Sequence, residues 1–172
     1  MKGILFTILF LFLCITHISS AQIFQAQIVK ISDGDTVWVR TADGRKFKVR
    51  VWGIDTPEKF QSRKLERDAL RCGATVSEIV ELGKLATQKA KELLDHSWVR
   101  LETRGRGYYG RVLGIIYLPD GTNFGLEMVK EGYACVYRKN HRRAYRQALE
   151  EAKRKYKGLW GTNWNLMKCL CR

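Results

Sequence analysis

A chain of 172 residues, 45% of them hydrophobic, has room for one domain with a real core. Its 31 Lys and Arg against 17 Asp and Glu leave a formal charge of +14, which favours polyanionic partners, nucleic acid above all and anionic membrane second. The basic residues are spread along the chain, which excludes a solitary basic tail as the source of the surplus.

The N-terminus reads as an export signal. Lys2 gives a short positive start, Ile4 to Ile15 is almost wholly apolar, and Ser19-Ser20-Ala21 offers small residues before a cut ahead of Gln22. The apolar run is too short for a good membrane span. A signal peptide over 1–21 predicts a secreted or periplasmic protein with no stable membrane association after cleavage. The mature chain lacks an amphipathic helix with a broad apolar face, which argues against a membrane-active protein.

Alternation of apolar and polar residues predicts a first strand over Ile23 to Ile31, followed by a turn at Ser32-Asp33-Gly34-Asp35 and a second strand over Thr36 to Arg40. Asp43-Gly44 supplies the positive φ of a tight hairpin, and Lys46 to Ile54 is the returning strand. It stops at Pro57, which has no amide hydrogen to extend a ladder. Phe60 to Arg71 is polar, basic and rich in helix formers. Thr75-Val-Ser-Glu78 has capping-box spacing, and a helical pattern runs from it to Leu94, with Gly83 as a weak point or break. Trp98 to Thr103 and Val112 to Tyr117 are the fourth and fifth strands, with the basic glycine-rich loop Arg104 to Arg111 between them. Gly105, Gly107 and Gly110 match a dinucleotide-binding fingerprint, but that motif requires a helix next, and the next segment is a strand. Leu126 to Glu131 is a short helix, and Asn140 caps a last one from His141 to Lys157, whose apolar stripe is core packing. Trp160 and Trp164 cover the bottom of the core. The predicted fold class is α+β, a five-stranded OB-type β-barrel closed as a meander, with about three flanking α-helices.

Around the end of the third strand the sequence gathers groups suited to phosphate chemistry. Arg50 is able to grip a phosphate through two hydrogen bonds. Asp55 and an oxygen of Thr56 suit a hard cation, and Glu58 suits proton removal from water. The meander brings Asp35 to the same neighbourhood. Together, Asp33-Gly-Asp35-Thr36, Arg50-x4-Asp55-Thr56-Pro57-Glu58 and Tyr109-Gly110-Arg111 resemble the staphylococcal nuclease (thermonuclease) family over roughly Ile23 to Trp160.

The resemblance implies Ca²⁺ ligands at Asp35, Asp55 and the carbonyl of Thr56, phosphate-gripping arginines at Arg50 and Arg111, and a catalytic glutamate at Glu58. Asp33 falls behind the ligands. Tyr109 and Tyr137 are candidates for stacking on bases. The implied activity is a Ca²⁺-dependent endonuclease that cuts DNA and RNA with little sequence preference and leaves 3′-phosphate ends, acting as a monomer. A non-catalytic nucleic-acid-binding barrel is the alternative, although such relatives usually lose the carboxylates or arginines first.

Two segments depart from the family: the stretch between Glu58 and Gly83 is longer, and residues 166–172 form an added cysteine-containing tail beyond a domain spanning 22–165. With the chain in an oxidising compartment, Cys72 is expected to bond Cys169 or Cys171, and Cys135 to remain a buried thiol. Cysteine and histidine spacing does not complete a zinc pattern.

Overall fold

The computed structural model describes residues 22–172; the signal-peptide reading of residues 1–21 lies outside them. Five strands close a barrel in the order β1 (Ile23–Asp33), β2 (Thr36–Thr41), β3 (Lys46–Val51), β6 (Val112–Tyr117) and β5 (Trp98–Arg106), with β5 returning to β1. Strand β1 serves two neighbours. Its N-terminal half pairs β5, while Ala26 to Asp33 pairs β2 with register shifts at Ile28/Lys30 and Ile31/Asp33, and such bulges bend a strand around a small barrel.

The closure is not a pure meander. Strand β3 pairs β6 in parallel, with Val49 opposite Val112 and Val51 opposite Gly114. A parallel pair cannot be joined by a hairpin and needs a long crossover. The residues between β3 and β6, β5 among them, supply it, and Asp55, Thr56 and Glu58 lie at its start. Ala26, Ile28, Val37, Val39, Val49, Val51, Val99 and Leu101 are buried in the main core, which fills the barrel and extends to the adjoining helices.

The crossover begins with the two-residue strand β4 (Ile54–Asp55), which pairs β7 (Cys135–Val136), Asp55 standing opposite Cys135. Helix α1 (Arg63–Cys72) follows, capped by the Ser62 hydroxyl, which accepts from Leu65 N at 3.1 Å, and ended by Gly73 at φ 61°. Helix α2 (Val76–Leu94) starts at the predicted capping box: Thr75 N donates to Glu78 Oε2 at 2.7 Å, and Thr75 Oγ1 accepts from Glu78 N at 3.2 Å.

Gly83 neither starts nor breaks α2. It is buried mid-helix where a Cβ would lie 2.6 Å from the Glu58 carbonyl oxygen, so its missing side chain lets the Pro57-Glu58 backbone rest on the helix.

Helix α3 (Phe124–Lys130) and helix α4 (Arg143–Arg154) complete the set expected from sequence. Asn140 is not the cap of α4, whose N-cap is Arg142. Buried in the turn before the helix, Asn140 accepts from Arg142 N at 3.2 Å and donates from Nδ2 to the Gly53 carbonyl at 3.0 Å. It thereby ties the turn between β3 and β4 to the β7 side.

Three further helices appear: α1, α5 (Leu159–Thr162) and α6 (Trp164–Leu170). The expected tail at 166–172 is therefore part of the folded body. Leu166 and Met167 enter a second core with Leu65, Ala69, Ile79, Leu82, Leu159 and Trp160. Each buried leucine, isoleucine or methionine there contributes about 1.5–3 kcal/mol of hydrophobic stabilisation.

Two disulfides fix this layer, Cys72–Cys169 and Cys135–Cys171. The first agrees with expectation. The second corrects the reading of Cys135 as a free thiol: β7 lays it beside the start of the crossover, within reach of the end of α6. An apolar run around a cysteine signals burial, and a disulfide sulfur is as compatible with burial as a thiol.

Candidate active site

Strand ends place the candidate residues. Asp35 sits in the turn that opens β2, Arg50 is the penultimate residue of β3, Asp55 closes β4, and Thr56 to Glu58 lead into the crossover. Arg50 faces Thr36 across the β2–β3 ladder, and Val51 N donates to the Asp35 carbonyl at 2.8 Å, so the barrel register brings Asp35 to Arg50.

Four donors converge on the buried Asp35 carboxylate. Thr36 Oγ1 donates to Oδ1 at 3.0 Å. Thr56 N at 2.9 Å, Thr56 Oγ1 at 3.0 Å and Arg50 Nη1 at 2.9 Å meet Oδ2. Burial works against the charge, but the Arg50 guanidinium and the Thr56 N–H outweigh it and hold the carboxyl below its usual range. The second Arg50 nitrogen, Nη2, donates to Asp55 Oδ1 at 2.7 Å. One planar guanidinium thus bridges two carboxylates that would otherwise repel. Burial alone would ease its proton away, and the charges of Asp35 and Asp55 hold it in place.

The neighbourhood is still rich in negative charge. Burial and the adjacent Asp35 push Asp33 up to about 7, and burial followed by Asp35 raises Asp55, against the pull of Lys64 and Arg50. Among the described residues, no three His, Cys, Asp or Glu side chains are close enough to hold a metal ion by themselves. The candidate set is two carboxylates and a backbone carbonyl. All are hard oxygen donors, and water can fill the remaining positions, which suits a large, flexible cation such as Ca²⁺ better than a strict octahedral ion. The residues fit the group.

Lys64 was not singled out from sequence. Its Nζ lies 2.9 Å from Glu58 Oε1, 3.2 Å from Asp55 Oδ2 and 3.7 Å from Asp68 Oδ2. Burial disfavours its charge, yet Asp55 and Glu58 raise its pKa above the usual lysine range. A signal was available in the Ser62 cap and the i,i+4 spacing of Lys64 and Asp68. What the sequence lacked was which way that helix face points.

Arg111, just before β6, lines a groove of about 400 Å³ with Arg50, Trp52, Tyr137 and Lys139. The fold therefore brings both arginines to one cleft. Tyr137 belongs to that cleft and is 41% exposed. Tyr109 does not line it: at φ 62° in the turn Tyr108–Gly110 it is 95% exposed, with the Arg111 guanidinium 5.9 Å from its ring. Asp35, Arg50, Asp55, Thr56 and Glu58 form one cluster, Arg111 and Tyr137 border it, and Tyr109 stands on its outer edge.

Residues 48–162 match the family described as Staphylococcal nuclease homologue. The chain is 34% identical over 163 residues to a Haemophilus influenzae protein named "Uncharacterized endonuclease", the match covering 94% of this chain and 80% of that one. It is 32% identical over 136 residues to an Escherichia coli protein of the same name, covering 78% and 75%. Against the "Thermonuclease" of Staphylococcus intermedius it is 30% identical over 139 residues, covering 77% and 74%.

Proposed function

The chain belongs to the staphylococcal nuclease family and is a nucleic-acid hydrolase; on that premise we propose that it is an exported, Ca²⁺-dependent endonuclease. In this reading it cuts DNA and RNA with little sequence preference and leaves 3′-phosphate ends. The observation that carries it is the Arg50 bridge between Asp35 and Asp55, with Glu58 joined to Asp55 through Lys64 and Arg111 lining the same cleft as Arg50.

Asp35, Asp55 and the Thr56 carbonyl would hold the ion, which supplies positive charge against a non-bridging phosphate oxygen when bound. Arg50 and Arg111 bring positive charge to the phosphoryl oxygens as negative charge grows on them, and the two carboxylates that hold Arg50 also fix its orientation. Glu58 orients a water and accepts its proton as the water oxygen bonds to phosphorus. The bond from phosphorus to the 5′ oxygen breaks, and that oxygen takes a proton from solvent. The phosphate stays on the 3′ side. Tyr137 offers an aromatic face to a base beside the cleft.

Export to a secreted or periplasmic location is supported by the character of residues 1–21 and by the two disulfides, which persist in oxidising compartments. The test is digestion of plasmid DNA and of RNA with Ca²⁺, with Mg²⁺ and with excess chelator, followed by end analysis. Cleavage with Ca²⁺ alone, giving ends that need phosphatase before extension, is expected. Full activity in chelator would refute the metal reading.

A further inference from the structure

A second groove, of about 300 Å³, is lined by Asp55, where the first is lined by its neighbour Ile54, and the two share Tyr137. It opens between α1, β7 and α6, with Lys64, Arg71, Arg138 and Arg172 on its walls. We propose that this groove is a second phosphate subsite, which takes the nucleic-acid strand on the far side of the scissile bond from the Arg50–Arg111 cleft. The proposal rests on the hydrolase reading above and adds the path of the substrate.

Charge accounting separates the cations that are committed from those that are not. Lys64 is held by Glu58, Asp55 and Asp68. Arg71 donates to Asp68 Oδ1 at 2.9 Å and to the Cys169 carbonyl at 2.8 Å. The two side-chain carboxylates of the groove, Asp55 and Asp68, are thus matched from within. Arg138 and Arg172 are exposed, and among the described residues neither has an ion pair. They remain available to phosphates. The floor between them is apolar, made of Val136, Leu170 and the Cys135–Cys171 sulfurs, and gives a sugar or base something to lie on.

The way the groove is built points in the same direction. The barrel closes without α6. One disulfide ties that helix to α1, and the other ties Cys171, the neighbour of Arg172, to Cys135 opposite Asp55. An arginine at a loose end would lose most of its attraction to the entropy of being ordered. Here the residue before Arg172 is already fixed, by its disulfide to Cys135 and by its N–H, which donates to the Met167 carbonyl at 2.9 Å. A strand leaving the first cleft over Tyr137 would enter the second, since that residue lines both.

The test uses the Glu58→Ala full-length protein with Ca²⁺, which removes the proton acceptor, and compares it with the same protein also carrying Arg138→Ala and Arg172→Ala. Affinities are measured for single-stranded DNA of two and of eight nucleotides across a salt series. The double arginine change should weaken the eight-mer about tenfold and lower its salt slope by about 1.4, at roughly 0.7 per phosphate contact on a single strand. The two-mer should be unaffected. Arg138→Lys with Arg172→Lys should restore most of the slope, since the charges return. Unchanged eight-mer affinity and slope would overturn the subsite, as would equal weakening of both lengths, which would mean general surface attraction. If the parent binds neither oligomer and the wild-type chain cuts nothing, the hydrolase reading falls with it. If the wild-type chain cuts while the arginine changes have no effect, only the subsite falls.

Discussion

Lys64 and Glu58 form an ion pair at 2.9 Å, and the same ammonium reaches Asp55 at 3.2 Å. A lysine from the lengthened segment therefore sits between the candidate proton acceptor and a candidate metal ligand. A cation approaching Asp55 must compete with it. Lys64→Met should tighten Ca²⁺ binding in the absence of nucleic acid by about tenfold, or roughly 1.4 kcal/mol. Calorimetric titration of the purified protein checks this, and unchanged affinity would remove Lys64 from the metal's surroundings.

Arg50 spends its two terminal nitrogens on two different carboxylates. A lysine has one point of charge and can serve only one of them. Arg50→Lys should cut turnover by about two or more orders of magnitude and also lower stability by about 1–3 kcal/mol, because a buried carboxylate loses its partner. Arg111→Lys should cost a similar factor in turnover. Parallel measurements of turnover and thermal melting separate the two effects.

Gly83→Ala sets helix propensity against packing. In an open helix the change would stabilise by up to about 1 kcal/mol. Here the new methyl would meet the Glu58 carbonyl at 2.6 Å and the Pro57 carbonyl at 2.8 Å, and backbone must move. The expected result is a net loss of about 1–3 kcal/mol together with a fall in turnover of at least about tenfold as Glu58 shifts. Unchanged turnover would show that Glu58 is not positioned through this contact.

The α2 cap should report on acid. Hydrogen bonds from the Thr75 backbone and hydroxyl hold the exposed Glu78 carboxyl below its usual range. A depressed folded-state pKa contributes stability above the unfolded value and loses it as pH falls through the folded one. Glu78→Gln keeps an acceptor but not the titration. Its melting temperature should therefore decline less steeply than that of the wild type on the acid side. Superimposable profiles would count against the cap as a contributor.

Reduction of the disulfides should destabilise the chain without dissolving the barrel topology. The Cys72–Cys169 bond spans 97 residues, and closing a loop of that size stabilises by at most roughly 4–5 kcal/mol on the chain-entropy model. Denaturant unfolding with and without reductant measures the difference. Peptide mapping under non-reducing conditions should recover Cys135 joined to Cys171.

Local chemistry made much of this architecture legible. Asp43-Gly44 announced the β2–β3 turn, where Gly44 takes φ 82°, and Thr75 with Glu78 marked the start of α2. The cluster around Arg50 was readable because its residues lie on one strand end and need only one more turn, at Asp35, to come together.

What escaped depends on tertiary orientation. Helix α1 buries only Leu65 and Ala69, so its sequence reads as polar and conceals that Lys64 faces the site. Gly83 looks like a defect until the Glu58 backbone is seen against it. Spacing does not determine the partner of Cys135, and the parallel β3–β6 pairing is a long-range choice that neither strand announces alone.

The two disulfides interleave along the chain, since Cys135 lies inside the loop closed by Cys72 and Cys169, while Cys171 lies outside it. A polypeptide emerging N-terminus first exposes Cys72 and Cys135 together before either native partner has been made, Cys171 following Cys135 by 36 residues. If oxidation keeps pace with synthesis, the first bond formed is the wrong one, and it must be reshuffled once α6 arrives. Recombinant yield should therefore depend on an isomerase more than on an oxidase, and production hosts can be chosen on that basis.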